Sequence, residues 1–171
     1  MTQGMTPAIR MVEKAGIPFE TRAYPHDPRT ESYGAEAATL LGVPPDWVFK
    51  TLIVKLDNRE LIVTMLPVHQ ILDLKAVAAA SGAKRAEMAN VTEAERITGY
   101  VAGGISPLGQ RKKLRTLIDE HILRLDRVFF SAGRRGLELV LHPSDLIQLC
   151  TATVGSCLPF VDIRKDGYRS A

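Results

Sequence analysis

The sequence has few of the residues on which many catalytic and structural sites depend. It contains only two cysteines, Cys150 and Cys157, with no C-x-x-C spacing, and four scattered histidines. This pattern predicts no disulfide framework and no metal cluster. Neither G-x-S-x-G nor H-E-x-x-H occurs, so the motifs of common hydrolases are missing. An enzyme of this composition would depend on positioning and backbone donors, without a cofactor or a protein nucleophile.

Long apolar runs are also missing. No segment approaches the roughly 20 apolar residues that span a bilayer, and residues 1–10 lack an apolar signal core. We therefore expect a soluble, cytoplasmic protein that does not act at a membrane. The chain has 171 residues, of which 46% are hydrophobic and 24% charged, with a net charge of +3. These values predict one globular domain over residues 1–158, followed by a tail over residues 159–171.

Hydrophobic periodicity and turn residues predict a mixed α/β (α+β) fold, in which helices flank a central sheet. Helices are expected at 6–15, 33–41, 73–81, 87–97 and 143–150. Strands are expected at 19–24, 48–56, 61–66, 127–130 and 137–141, whereas 116–123 is ambiguous. The strands 48–56 and 61–66 are separated by a short polar turn, which predicts a hairpin at the centre of the sheet. Thr92 and Glu95 fit a capping box at the start of a helix.

The most distinctive segment runs from Thr98 to Gln110 and is rich in glycine. Such a loop exposes backbone N–H groups that bind anions. Gly104 and Gly109 have P-loop spacing, but Gln110 and Arg111 replace the lysine and the hydroxyl residue that a nucleotide site needs. A rigid turn around Pro107 remains the alternative to an anion site.

A cluster of cations follows this loop, namely Arg111, Lys112, Lys113 and Arg115. Such a cluster either meets a polyanion or forms an ordinary solvated surface. Lys50 is the unusual residue within the hairpin, because the strand around it is otherwise apolar. It either faces solvent by strand alternation or carries its charge into a cleft.

Three segments together resemble the YbaK-type family of aminoacyl-tRNA deacylases. They are Phe49-Lys50-Thr51-Leu52, the glycine-rich segment from Thr98 to Gln110, and Ser131-Ala-Gly-Arg-Arg-Gly-Leu137. The similarity runs in matching order from about Thr6 to Cys150. It implies an editing-domain fold and hydrolysis of misacylated tRNA in trans, with Cys-tRNA(Pro) as the substrate and prolyl-tRNA synthetase as a possible partner.

The resemblance also implies roles for particular residues. Lys50 matches the family's essential lysine, expected at the tRNA 3′ end, and the backbone N–H groups of Gly103 and Gly104 would face the scissile ester. Four side chains would shape the substrate pocket: Tyr24, Tyr33, Ser131 and Glu138. Tyr33 stands where the family commonly has Phe, and Glu138 stands where it has Asp. Arg111, Lys112 and Lys113 would bind the acceptor stem.

The resemblance implies a substrate-assisted reaction, in which the cysteine thiol attacks its own carbonyl. Direct attack by water is the alternative, and it would suit Ala-tRNA(Pro). Two further readings stay open at this point. One is a non-catalytic module that binds tRNA or a synthetase, and the other is a hydrolase of small thioesters or aminoacyl esters.

Overall fold

The computed structural model describes residues 4–30 and 33–159, and they form two sheets with helices packed around them. The predicted tail over 159–171 lies almost wholly outside these residues. The helices are α1 (Pro7–Ala15), α2 (Tyr33–Leu41), α3 (Leu74–Ala80), α4 (Val91–Thr98) and α5 (Pro143–Cys150). The strands are β1 (Glu20–Ala23), β2 (Phe49–Leu56), β3 (Leu61–Pro67), β4 (Ala86–Met88), β5 (Thr116–Asp119), β6 (Val128–Arg134), β7 (Leu137–Leu141) and β8 (Thr153–Gly155). Short 3₁₀ helices occupy Pro45–Trp47 and Glu120–Arg124.

The larger sheet has five strands in the order β4-β2-β3-β5-β8. β2 and β3 form an antiparallel hairpin, as predicted, whereas β3–β5 and β5–β8 are parallel pairs. The smaller sheet has the order β1-β7-β6 and is antiparallel. A bridge between Val48 and Phe129 joins the start of β2 to β6. The mixed α/β class predicted from the sequence is therefore confirmed.

Three apolar clusters hold these layers together. The largest fills the space between the two sheets, where α1 and α5 also bury apolar side chains. A second lies under α3, on the other face of the larger sheet. The third packs α2 against Tyr24, Val48 and Phe129. Because burial of apolar area is the main driving force for folding, these clusters fix how the strand ends meet.

Local signals explain most element boundaries. Thr6 caps α1 by accepting a hydrogen bond from the N–H of Ile9, and Gly16 ends the helix in the left-handed region. The predicted capping box of α4 is wrong, because the cap is Asn90, whose side chain accepts from the N–H of Thr92. The Glu95 carboxylate instead accepts a hydrogen bond from the N–H of Ala102. It therefore holds the segment that follows α4.

Candidate functional site

A cavity of about 350 Å³ opens where the start of β2 meets β6, β7 and the start of α2. The segment between α4 and β5, residues 99–110, reaches it and is called the glycine loop below. The cavity brings together six of the residues singled out in the sequence: Tyr24, Tyr33, Lys50, Gly103, Ser131 and Glu138. Its remaining lining consists of Gly34, Val48, Phe49, Thr51, Leu52, Val68 and Ile105.

Lys50 enters the cavity from the second position of β2. Its Nζ donates a hydrogen bond to the carbonyl oxygen of Gln70, at 2.6 Å. The side chain is half-buried, and this desolvation lowers the pKa of the amine. No carboxylate lies within ion-pair distance of Lys50 among residues 4–30 and 33–159. The amine therefore has donors left for a ligand, and the solvent-facing alternative does not describe this side chain.

Ser131 and Glu138 face each other across the β6–β7 pair as register partners. The Ser131 hydroxyl accepts from the N–H of Gly133, at 3.2 Å, which leaves its own proton free to donate. Glu138 is only 7% exposed, and burial raises the pKa of its carboxyl to about 8. No ion pair to Glu138 is formed within the described part of the chain. The cavity thus holds a buried carboxyl that a cation would stabilise.

The two tyrosines form another part of the wall. Tyr24 follows β1 and is 9% exposed. Burial and the nearby Glu138 raise the pKa of its hydroxyl to about 12, so the phenol stays neutral at ordinary pH. Tyr33 begins α2, and its ring lies 4.8 Å from the Arg135 guanidinium carbon. In the sequence, Arg135 was only one position of the segment from Ser131 to Leu137 and received no role.

The glycine loop approaches the cavity through Gly103. Its φ is +84°, and a Cβ there would lie 2.7 Å from the Tyr33 ring, so only glycine fits. The N–H of Gly103 has no hydrogen-bond partner among the described residues. Gly104 behaves differently, because its N–H donates to the Val101 carbonyl at 2.8 Å. This contact differs from the expectation that both N–H groups face a ligand.

Several contacts fix the glycine loop in place. Tyr100 donates from its hydroxyl to the Leu108 carbonyl at 2.7 Å, across the base of the loop. The Gln110 side chain donates to the Ser106 carbonyl. At Gly109, a Cβ would lie 2.5 Å from the backbone of Pro7, so the loop packs directly on the start of α1. The glycine spacing that resembles a P-loop thus serves close packing as well as a turn.

Thr51 is a cavity residue to which the sequence analysis gave no role. Its Oγ1 is buried and has no hydrogen-bond partner within the described residues. Leaving a buried hydroxyl unsatisfied costs about 1–3 kcal/mol, so Thr51 is a polar residue of the cavity lining whose hydrogen-bonding capacity is unused. Its position beside Lys50 was the only available signal.

The predicted basic residues lie apart from the cavity. Arg111, Lys112 and Lys113 are exposed. Lys112 and Lys113 line a separate depression at the far end of the hairpin, called the basic groove below. Its other charged residues are Lys55, Arg59, Glu60, Glu93, Arg96 and Arg115. Two of these cations have acidic partners, in the pairs Lys55–Glu93 and Arg115–Glu60. The groove therefore has an excess of positive charge.

Two kinds of feature are absent from the described ranges. No three His, Cys, Asp or Glu side chains come together there in a way that would hold a metal ion. None of the helices in 4–30 and 33–159 has the length and apolar character needed to cross a bilayer.

The chain is similar to known proteins over most of its length. The model of the family described as aminoacyl-tRNA editing domain matches residues 27–149. EbsC of Enterococcus faecalis, named as a candidate Cys-tRNA(Pro)/Cys-tRNA(Cys) deacylase, is 36% identical over 149 residues, covering 86% of this chain and 90% of its own. The multifunctional Ser/Thr-tRNA deacylase ProXp-y of Escherichia coli K12 is 25% identical, covering 82% and 84%.

A solved structure shows the same fold. The crystal structure of a candidate trans-editing enzyme for prolyl-tRNA synthetase superposes with a TM-score of 0.79, covering 92% of this chain and 100% of that one. The sequences are 22% identical.

Proposed function

This chain belongs to the aminoacyl-tRNA editing domain family, and from that premise we propose that it is a trans-acting deacylase of misacylated Cys-tRNA(Pro). The observation that carries the proposal is that one cavity contains both Lys50 and the buried Glu138. Beside them lies a rigid loop, and neither the Glu138 carboxyl nor the Gly103 N–H has an ionic or hydrogen-bond partner, respectively, among the described residues. In this proposal prolyl-tRNA synthetase would produce the mischarged tRNA in the cytoplasm and would be a partner of the chain.

The cavity suits an aminoacyl ester in size and in charge. Its volume, about 350 Å³, lies at the lower end of the range for ligand pockets, which fits an amino acid with its ester-linked ribose. The substrate's α-ammonium group would pair with Glu138, for which residues 4–30 and 33–159 supply no ionic partner. Tyr24 and Tyr33 would enclose the side chain of the amino acid. The Thr51 hydroxyl would gain the hydrogen bond that it lacks.

Lys50 and Gly103 have complementary roles in this account. The Lys50 amine, held by the Gln70 carbonyl, would contact an oxygen of the terminal ribose or phosphate. The N–H of Gly103 would stabilise the oxyanion that develops on the ester carbonyl. A preorganised donor of this kind is worth about 10²–10³ in rate. Gly104 would support the loop through its bond to Val101 and its packing against the backbone of residues 134–135.

The described residues that line the cavity include neither cysteine nor histidine, which favours a nucleophile supplied by the substrate. The cysteine thiol of the substrate would attack its own ester carbonyl. A carbon–sulfur bond forms, the bond between the carbonyl carbon and the ribose oxygen breaks, and the thiol proton passes to that oxygen. The released thiolactone would then be opened by water to give free cysteine.

The basic groove would hold the tRNA itself. Lys50 and Lys55 lie five residues apart on β2, a separation of roughly 17 Å at the usual rise per residue. The unpaired 3′ end of a tRNA bridges a distance of this order. The amino acid would then occupy the cavity while the acceptor-stem phosphates meet Lys112, Lys113 and Arg111, with salt-dependent affinity.

The proposal is tested by deacylation rates for a series of charged tRNA(Pro) substrates. The series carries cysteine, S-methylcysteine, serine, alanine and proline. Rapid loss of cysteine with slow loss of S-methylcysteine is expected, because methylation removes the attacking thiol. Equal rates for the cysteine and S-methylcysteine substrates would show that water, and not the substrate thiol, attacks the ester. A preference for alanine or serine would change the substrate assignment, and loss of none of the five, with tRNA still bound, would favour a non-catalytic binding module.

A hydrolase of small esters is the remaining alternative. Cysteine ethyl ester discriminates, because it has the same reactive group and no tRNA. Turnover of the ester at a kcat/KM similar to that of Cys-tRNA(Pro) would show that the basic groove contributes nothing to the reaction.

A further inference from the structure

Arg135 contacts two walls of the cavity from outside it. Its Nε and Nη2 both donate to the carbonyl oxygen of Ala102, at 2.9 and 2.6 Å. The same guanidinium lies over the Tyr33 ring. The β6–β7 turn is thereby tied both to the glycine loop and to the start of α2.

The Ala102 carbonyl has a particular importance, because it shares a peptide unit with the N–H of Gly103. The described chain contains no cis peptide bonds, and in a planar trans peptide the C=O and N–H point in opposite directions. Fixing one therefore fixes the other. Arg135 and Ala102 are not part of the cavity lining, whereas Gly103 is. A carbonyl held on the outer side directs the Gly103 N–H towards the inner side.

The chemistry of the contact adds to its geometry. A guanidinium that donates twice to one oxygen is a charge-assisted arrangement, stronger than a neutral hydrogen bond. Hydrogen bonds in series also polarise one another, so a carbonyl bound to a cation makes the N–H of its own peptide a better donor. The space is closely filled as well, since a Cβ at Gly103 would lie 2.9 Å from the Arg135 Nε.

We propose that Arg135 is a positioning residue, which orients and polarises the Ala102–Gly103 peptide so that the Gly103 N–H stabilises the oxyanion. This inference rests on the proposed deacylase function. It assigns to Arg135 a role in the chemical step, distinct from a contact with tRNA phosphate. Arg134, its neighbour, makes no such bond among the described residues and serves as the matched control.

The first test compares single-turnover and steady-state kinetics of Arg135→Met, Arg135→Lys and Arg134→Met on Cys-tRNA(Pro). Arg135→Met is expected to lower kcat about 10- to 100-fold and to change KM less than threefold. The expected decrease in kcat does not exceed that caused by removing one oxyanion donor. Arg135→Lys should recover part of kcat, because an ammonium still donates once to Ala102. Arg134→Met should leave kcat unchanged. A raised KM with unchanged kcat in Arg135→Met would show a tRNA contact only and would overturn the proposal.

The second test needs no substrate, so it separates this inference from the proposed function. The amide proton resonance of Gly103 is recorded by NMR in the wild type and in the same variants. Arg135→Met should move it upfield, because the peptide loses its polarising cation, and Arg134→Met should leave it in place. An unchanged Gly103 resonance in Arg135→Met would overturn the proposal. If no tRNA is deacylated and the resonance still moves as expected, the substrate assignment fails while the role of Arg135 in orienting the peptide stands.

Discussion

Glu138→Gln is the substitution that tests the electrostatics of the cavity without any substrate. The wild-type carboxyl is buried and lacks an ion pair within the described residues, so its ionised form is poorly solvated. Glutamine has nearly the same shape and carries no charge at any pH. The variant therefore removes one titration and leaves the packing of β7 in place.

The magnitude follows from the change in pKa. The value for this carboxyl rises from 4.5 to about 8 on folding. One pKa unit corresponds to about 1.4 kcal/mol, so ionisation opposes folding by on the order of 4–5 kcal/mol. At pH values between these two pKa values, the Glu138 carboxyl is protonated in the folded state and ionised in the unfolded state. The wild-type free energy of unfolding therefore falls as the pH rises through this window. Between pH 5 and pH 8 the fall due to Glu138 is on the order of 3 kcal/mol.

Urea unfolding at pH 5 and pH 8 measures this difference. The wild type should lose about 3 kcal/mol more than Glu138→Gln over that interval. Glu87→Gln, on the exposed strand β4, is the control and should follow the wild type. If Glu138→Gln and wild type lose the same stability, the carboxyl is hydrated or paired in the folded protein, and its proposed pairing with an α-ammonium group loses its basis.

Three further predictions concern packing, the unsatisfied hydroxyl and the basic groove. Gly109→Ala should lower the thermal midpoint of unfolding more than Gly42→Ala. Both glycines have φ near +70°, so the backbone strain of the two substitutions is similar. Of the two, only Gly109 lacks room for a Cβ, and overpacking costs about 1–3 kcal/mol. Thr51→Val should leave the free energy of unfolding unchanged, or raise it by up to about 1 kcal/mol, because no described residue bonds to the hydroxyl. Its kcat/KM should fall, because the proposed substrate contact is lost. Lys112→Ala should reduce the slope of log K against log[salt] for tRNA binding by about 0.7–0.9.

Each of these has a result that contradicts it. Equal midpoints for the two glycine variants would mean that the start of α1 gives way at no cost. A loss of stability in Thr51→Val would show that the hydroxyl has a partner in the folded protein. An unchanged salt slope in Lys112→Ala, with Lys14→Ala as a control on α1, would exclude the basic groove as the tRNA surface.

Much of the fold could be predicted because its boundaries have local causes. α1 is bounded by Thr6 and Gly16, and α5 begins at Pro143 after the His142 cap. The strands β4 and β8 were not predicted. Each has only three residues, which is too short for an alternating pattern of apolar and polar residues to be recognised. The start of α4 was placed too early because β4 occupies 86–88, and Thr92 does not cap it.

The candidate site was predictable to a similar extent. Lys50 carried information by itself because a charged side chain in an apolar strand needs a reason, whereas Ser131 and Glu138 were expected only from the resemblance to the family. What surrounds them depends on the tertiary structure. The alternation of apolar and polar residues along a strand could not show that the segment after β3 brings the Gln70 carbonyl into contact with Lys50. Nor could it show that Arg135 reaches Ala102, 33 positions away along the chain.

The claim that this cavity is the deacylation site is tested most directly by single-turnover deacylation of Cys-tRNA(Pro) with wild type, Lys50→Met and Lys55→Met. The two lysines lie on the same strand, one in the cavity and one paired with Glu93 at the other end. Lys50→Met should lose the cysteinyl-tRNA activity by at least about 10²-fold, as expected for a contact to the reacting end of the substrate. Lys55→Met should retain most of it at saturating enzyme, because Lys55 is paired with Glu93 in the basic groove and its loss would weaken tRNA binding without changing the contacts to the reacting end. Full activity in Lys50→Met, with both variants folded, would contradict the account and place the reaction outside this cavity.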